Sequence, residues 1–180
     1  MRNSLLLLGE LTDEDVDWLR QAGEKITIPA EEALIQQGHP IQALYLLLDG
    51  ALVVKASSPS NPQEQRTVAH LATGEVIGEM SFVDHRLPSA TVIAETDAVL
   101  LAVPQAQLLE RSETDLAFGK RFYRGLAFCL SNRLRSMNVN LPQAGRGSSE
   151  ETPDGIRNPD VAANEAAARV RLESLIASAK

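Results

Sequence analysis

The chain has 180 residues, 44% of them apolar, which is enough to bury one sizeable core with a tail to spare. Its net charge of -7 argues against general nucleic-acid binding, where phosphate contacts dominate affinity. A single cysteine, Cys129, excludes an internal disulfide and any multi-cysteine metal site.

The first apolar run, Leu5–Leu8, is far shorter than a secretory core of roughly 7–15 residues or a membrane span of about 20, so a soluble, cytoplasmic protein is expected. A helix start follows at Leu11-Thr12-Asp13-Glu14-Asp15. Thr12 is placed to cap, and Asp15 stands three residues on, where a capping box has its acid. Val16, Trp18, Leu19 and Ala22 carry the apolar side of that helix until Gly23 stops it. From Lys25 the period shortens, and apolar stretches come at 25–28, 33–36, 43–48, 51–56, 66–71, 75–77, 90–94 and 98–103. Pro29, Gly38-His39-Pro40, Asp49-Gly50, Ser57–Pro62, Gly74 and Pro88 separate them. About eight short strands punctuated by turn residues predict a mainly β roll, a barrel or jelly roll, and Ser57–Gln63 reads as an exposed hairpin loop.

Past Pro104 the period is helical again. Leu108 and Leu109 fall in a short helix, and a longer one is predicted from about 114 to 137. Leu116, Phe122, Leu126, Leu130, Leu134 and Met137 form one stripe, expected to cover the roll. Phe118, Phe122, Gly125 and Cys129 form a second flank, expected to pack on the symmetry mate of a homodimer, with the terminal helix folding back over it as the rival. Residues 120–149 hold six Lys/Arg and no acid, whereas 1–119 hold 7 Lys/Arg against 18 Asp/Glu. Such a basic run reads as a helix face that complements the chain's own acidic body. Residues 142–158 read as a flexible linker and 159–180 as a short helix with a stripe at Ala168, Leu172, Leu175, Ile176 and Ala179, available to a protein partner. The domain proper is therefore 1–141, with its roll at about 24–103.

The chemistry-bearing segment is Gly74-Glu75-Val76-Ile77-Gly78-Glu79-Met80-Ser81-Phe82-Val83-Asp84, closed by Pro88-Ser89-Ala90-Thr91-Val92. A glycine leading into a helix start leaves unpaired N–H groups where a backbone can approach an anion. Glu79 suits the first turn of that helix and can also accept from a sugar hydroxyl. Ser89 is placed to donate to a phosphate oxygen. His39, His70 and His85 lie far apart and suggest no metal site, and no motif of a hydrolase, zinc protease or nucleotide triphosphatase occurs, so the chain is not read as an enzyme.

These segments resemble the cyclic nucleotide-binding domain family, whose phosphate-binding cassette is similar to Gly78-Glu79-Met80-Ser81-Phe82-Val83-Asp84 followed by Ser89-Ala90-Thr91-Val92. The likeness extends upstream through 32–40 and 43–50 and covers roughly residues 11–137. It implies a cyclic-nucleotide-type β-roll with flanking N- and C-terminal helices. It implies that Gly78, Met80 and Ser81 offer backbone N–H groups to a cyclic phosphate, that Glu79 binds the ribose, and that Ser89 and Ala90 close the phosphate site. The base contact falls near Met137-Asn138. The family's usual arginine before this serine is replaced by Pro88, and the nearest cation in sequence is Arg86. Losing such a contact costs on the order of 2–3 kcal/mol, about two decades in affinity. The expected function is a regulatory sensor for a cAMP- or cGMP-like nucleotide, without a resident cofactor. The alternative is a degenerate roll that binds no nucleotide and serves as an interaction or dimerisation module. A DNA-binding regulator would need a helix-turn-helix, and the roughly 40 residues after the long helix read as linker plus one helix, so no DNA contact is expected.

Overall fold

The structure, a computed structural model, describes residues 3–58, 61–139 and 159–177. Two helices, α1 (Asn3–Glu10) and α2 (Asp13–Ala22), precede the strands β1 (Glu24–Ile28), β2 (Ala33–Ile35), β3 (Ala43–Asp49), β4 (Ala51–Ser58), β5 (Asn61–Ala72) and β6 (Val76–Ile77). A short helix α3 (Glu79–Asp84) leads to β7 (Thr91–Ala94) and β8 (Ala98–Pro104), and then come α4 (Gln105–Thr114), α5 (Leu116–Val139) and α6 (Pro159–Ala177). The strands form two four-stranded antiparallel sheets, in the orders β1-β8-β3-β6 and β2-β7-β4-β5. This is the mainly β roll with flanking helices that the strand spacing predicts. β4 and β5 run past the predicted loop at Ser57–Gln63, leaving only residues 59 and 60 between them, outside the described residues.

The strand sequences explain why the roll carries helices on one side only. Side chains alternate across a pleated strand. In β3, Leu47 points between the sheets with Leu52, Ile77 and Leu100, while Leu44, Leu46 and Leu48 point outwards into a second apolar cluster with Leu101 and Val103 of β8. A strand buried on both faces needs a near-continuous apolar run, and β3 and β8 have one. The outer cluster is roofed by Leu5, Leu7 and Leu8 of α1, Val16 and Leu19 of α2, Phe118, Phe122, Leu126 and Cys129 of α5, and Leu172 and Leu175 of α6.

Four expectations need correction. Leu5–Leu8 is no isolated run but the body of α1, a helix buried on nearly all sides because α5 covers one face and α6 the other. The flank of α5 reserved for a symmetry mate is occupied by α1 of the same chain: a Cβ built on Gly125 would lie 2.7 Å from Leu7 Cδ1 and 3.0 Å from its Cα. The stripe expected to face the roll is split: Phe122 and Leu126 are fully buried as expected, together with Phe118 of the other flank, but Leu116 is 77% and Leu134 61% exposed. The stripe of α6 is likewise used inside the chain: Ala168, Leu172 and Leu175 are buried, and Arg171 donates to Leu8 O at 2.9 Å and pairs with Asp13 at 2.7 Å. Its partner is α1, not the flank of α5. Ala179 and the linker at 142–158 lie outside the described residues.

The basic run of α5 pairs with the chain's own acids. Arg121 holds Asp15 with two hydrogen bonds, at 2.8 and 3.0 Å, and Arg124 lies 3.3 Å from Glu10. The predicted capping box at Thr12 and Asp15 is present in both directions. Among the described residues, no helix is long and apolar enough to cross a membrane.

Candidate functional site

The segment singled out in the sequence forms one wall of a cavity of about 470 Å³, within the size range of small-molecule sites. Gly78 turns the chain from β6 into α3 with φ +89°, a left-handed value, and a Cβ there would lie 2.9 Å from Ile41 Cδ1. No other residue type makes this turn without strain, and the turn sets the start of α3 against the cavity. The first N–H groups of a helix have no backbone acceptor within it, so Met80 and Ser81 bring such groups to the cavity wall, while the Glu79 N–H is met by its own carboxyl. Opposite them, Pro88, Ser89 and Ala90 line the cavity as the approach to β7. That approach is pinned: Gly38 N donates to Pro88 O at 2.9 Å, and Gln37 N donates to the Thr91 hydroxyl at 3.1 Å.

Glu79 is not a solvated first-turn acid. Its side chain is only 1% exposed and accepts from Arg133 of α5 at 2.5 Å. Arg133 also donates to Val76 O at 2.7 Å and lies 3.9 Å from Glu75. Glu75 in turn accepts from Asn3 Nδ2 at 2.7 Å, Asn132 donates to Asn3 Oδ1 at 2.9 Å, and Cys129 Sγ donates to Asn3 O at 3.1 Å. A continuous polar chain thus joins the floor of the cavity to α5 and α1. Burial pushes the Glu79 carboxyl above its ordinary value, and the charge and hydrogen bond of Arg133 only partly oppose it. Burial likewise pushes the Cys129 thiol up to about 12, with the nearby Glu79 charge adding to the effect, so the thiol is a packed hydrogen-bond donor and no nucleophile.

Gly78, Glu79, Met80, Ser81, Ser89 and Ala90 all line the one cavity. Arg86 is not brought to it. The Arg86 side chain is 85% exposed and lies 4.0 Å from Asp84, on the outer side of the segment. Sequence reasoning missed Arg133, Asn132, Ser136 and Arg66, which line the cavity from α5 and β5. Arg133 carried a signal: it stands four residues after Cys129 and eleven after Phe122, an arginine on the apolar face of the helix. Arg66 carried none, because its inward aim depends on an irregularity in β5. Met137 and Asn138, the expected base contacts, belong to the last turn of α5, but their side chains lie outside the described residues. Among the described residues no group of three or more His, Cys, Asp or Glu side chains is placed to hold a metal ion.

Comparison with known proteins points the same way. A family model for the cyclic nucleotide-binding domain matches residues 25–115. The cyclic AMP receptor protein of Thermus thermophilus is 33% identical over 144 residues, which is 78% of this chain and 62% of that protein. The chain therefore spans less than two thirds of the length of that relative. Among solved structures, a cyclic nucleotide-binding domain from Methylobacillus flagellatus superposes with a TM-score of 0.71 at 21% identity, covering 82% of this chain and 85% of the other. The catabolite activator protein of Thermus thermophilus superposes with a TM-score of 0.63 at 24% identity, covering 96% of this chain and 85% of the other.

Proposed function

The chain belongs to the cyclic nucleotide-binding domain family, and from that premise we propose that it is a regulatory sensor, without catalysis of its own, that takes a cyclic nucleotide into the cavity between α3, β5, β7 and α5. The observation that carries this reading is the meeting of three features in one cavity: the start of α3, the Ser89–Ala90 approach to β7, and a carboxylate buried to 1% exposure. The backbone of Gly78, Met80 and Ser81 suits a cyclic phosphate, with the Ser89 hydroxyl and the Ala90 backbone closing the far side. Glu79 suits a ribose hydroxyl, which donates to it and compensates its burial. The apolar walls at Ile35, Val54, Ala69 and Val92 suit the flat faces of a base.

Signalling follows from the position of Arg133. A ribose hydroxyl reaching Glu79 competes with the arginine that ties the cavity floor to α5, so ligand biases the placement of α5. The face of α5 turned away from α1 carries Leu116, Tyr123, Leu130 and Leu134 at spacings of seven, seven and four residues, and three of them are exposed. We place the homodimer contact on this face. Leu134→Glu together with Tyr123→Glu should convert a dimer into a monomer in light scattering, and a monomeric wild-type chain would remove the assembly from the proposal. A cytoplasmic setting, where thiols stay reduced, suits the single buried Cys129.

Calorimetric titration of the full chain with cAMP, cGMP and cyclic dinucleotides tests the central claim. One mononucleotide is expected to bind with a stoichiometry of one per chain. Failure of all of them at millimolar concentration would favour the second reading, a degenerate roll used for protein contacts. That reading is kept alive by one observation: Pro88, which has neither charge nor N–H, sits at the phosphate side of the cavity.

A further inference from the structure

The cavity has two arginines, and they are not equivalent. Arg133 is committed to Glu79, Val76 O and the neighbourhood of Glu75. Its charge is answered within the protein. His70, also on the wall, takes Glu95 at 3.0 Å. Arg66 lines the cavity from β5, is exposed, and its side chain makes no hydrogen bond or ion pair with the described residues. A bound phosphate would carry a charge into a site whose acids, Glu75 and Glu79, stand at the Arg133 end. An anion placed in low-dielectric surroundings without a counter-charge is strongly disfavoured.

The register shows how Arg66 comes to the cavity. Val54 of β4 pairs with Ala69 of β5, but the next pair is Lys55 with Thr67, so Val68 is an extra residue in β5. Such a bulge re-aims the side chains beyond it. Ala69 and Val54 line the cavity, Thr67 and Lys55 do not, and the following pair, Arg66 and Ala56, does again. Without the bulge Arg66 would point to the other face of the sheet. β4 also pairs with β7, and the last pair of that ladder is Lys55 opposite Thr91, so Ala90 is the first residue beyond it on the side of Ala56. Arg66 and Ala56 therefore stand in one row across two strands, a step of about 4.8 Å, with Ala90 just past the end of the β4–β7 ladder on the far side of Ala56. The middle residue is an alanine, and its small side chain leaves the space above it clear.

We infer that Arg66, swung into the cavity by the bulge at Val68, reaches over Ala56 to pair with the ligand phosphate held at Ser89–Ala90. It supplies the cation that Pro88 does not. The inference rests on the cyclic-nucleotide reading and names the positioning charge of that site.

The test is calorimetric titration of the full chain with whichever of cAMP and cGMP binds the wild type, repeated for Arg66→Gln, Arg66→Lys and Lys55→Gln. Lys55 is the neighbouring cation on β4 that does not line the cavity. Unchanged thermal midpoints establish that the variants are folded. Arg66→Gln should weaken binding at least tenfold and flatten its salt dependence, Arg66→Lys should retain part of the affinity, and Lys55→Gln should stay within twofold. Adding Pro88→Arg to Arg66→Gln should return much of the loss, since a cation is restored beside the same phosphate. Wild-type affinity in Arg66→Gln, or an equal loss in Lys55→Gln, overturns the assignment while leaving nucleotide binding intact. A wild-type chain that takes neither nucleotide overturns the functional reading and this inference with it.

Discussion

Helix α5 holds two buried carboxylates through two of its arginines, and the two pairs are built to different ends. Asp15, in the helical layer, accepts from Arg121 twice, from Arg111 at 3.3 Å and from Thr12 N at 2.9 Å. Burial pushes its carboxyl up, but the hydrogen bonds from Arg121 and Thr12 outweigh it, and the net direction is down. Glu79, in the cavity, has Arg133 as its main partner and Glu75 as a nearby like charge, and its net direction is up. One carboxylate is fully answered by the fold. The other is left with capacity to accept, and it is the one that faces a cavity. A low-dielectric site penalises an under-satisfied charge, so the second arrangement costs stability that a ligand's hydroxyl would return.

The sharpest way to break this contrast is to remove Asp15. Asp15→Ala strips the capping acid from α2 and leaves Arg121 and Arg111 without their shared partner. A loss of about 3–5 kcal/mol is expected in denaturant unfolding, in line with breaking a buried pair from one side. The pH dependence separates the two sites by sign. The folded-state pKa of Asp15 is depressed from its ordinary 3.8, so its contribution is present above that value and disappears as pH falls through the folded pKa. The folded-state pKa of Glu79 is raised from 4.5, so its penalty sets in as pH rises above that value. The stability gap between wild type and Asp15→Asn should therefore close in acid, and Glu79→Gln should gain on wild type as pH rises from 4 to 7. Parallel slopes for the two variants would refute the contrast.

A second break leaves all charges in place. Gly125→Ala puts a Cβ 2.7 Å from Leu7 Cδ1 and 3.0 Å from Leu7 Cα, so moving the side-chain tip alone is not enough and the backbone of α1 must give way too. The helix gains up to about 1 kcal/mol in propensity, but the displaced α1 should make the net change a loss of about 1–3 kcal/mol. Thermal unfolding should show that loss with nucleotide affinity within threefold of wild type. A stabilised variant would mean that α1 is not seated as tightly as the contact requires.

How far these regions were legible differs with the kind of signal each leaves. The strands announced themselves because β3 and β8 are dense apolar runs cut by Gly and Pro, and the α3 segment because Gly78 and Glu79 stand at a recognisable spacing. Helix α1 left only four leucines, since an element buried on nearly all sides has no polar phase from which a period can be read. The two flanks of α5 were both visible, but choosing which faced inwards required knowing that α1 exists. With α1 unseen, the exposed face of Leu116 and Leu134 looked like core and the buried face of Phe118 and Cys129 looked like an interface. Arg86 is the nearest cation in sequence, whereas a one-residue bulge in a strand two neighbours away brings Arg66 to the cavity.

In the cavity the comparison is sharpened by Glu79→Ala. If Glu79 is the under-satisfied partner that a ribose hydroxyl completes, its removal should weaken nucleotide binding at least tenfold, about 1.4 kcal/mol. The same change should cost less folding stability than Asp15→Ala, because Arg133 keeps Val76 O and Glu75 within reach and is 28% exposed. Unchanged affinity in titration would move the ribose elsewhere.

The smallest expected effect comes from Pro88→Arg. Pro88 lies on the cavity wall, and its carbonyl already holds Gly38 N, so the backbone there is fixed by a bond that a substitution preserves. An arginine at this point adds a charge-assisted donor beside Ser89, where a phosphate is expected to sit. Because Arg66 is proposed to answer that phosphate already, the second cation should bring a several-fold gain and not the full value of a lone pair. The gain should be larger when Arg66 is glutamine than when it is arginine, since two cations on one phosphate compete for the same charge. Equal gains in the two backgrounds would mean that they do not share a target. No gain in either, in folded protein, would mean that the cavity closes on the proline side, and the degenerate reading would then account better for this roll.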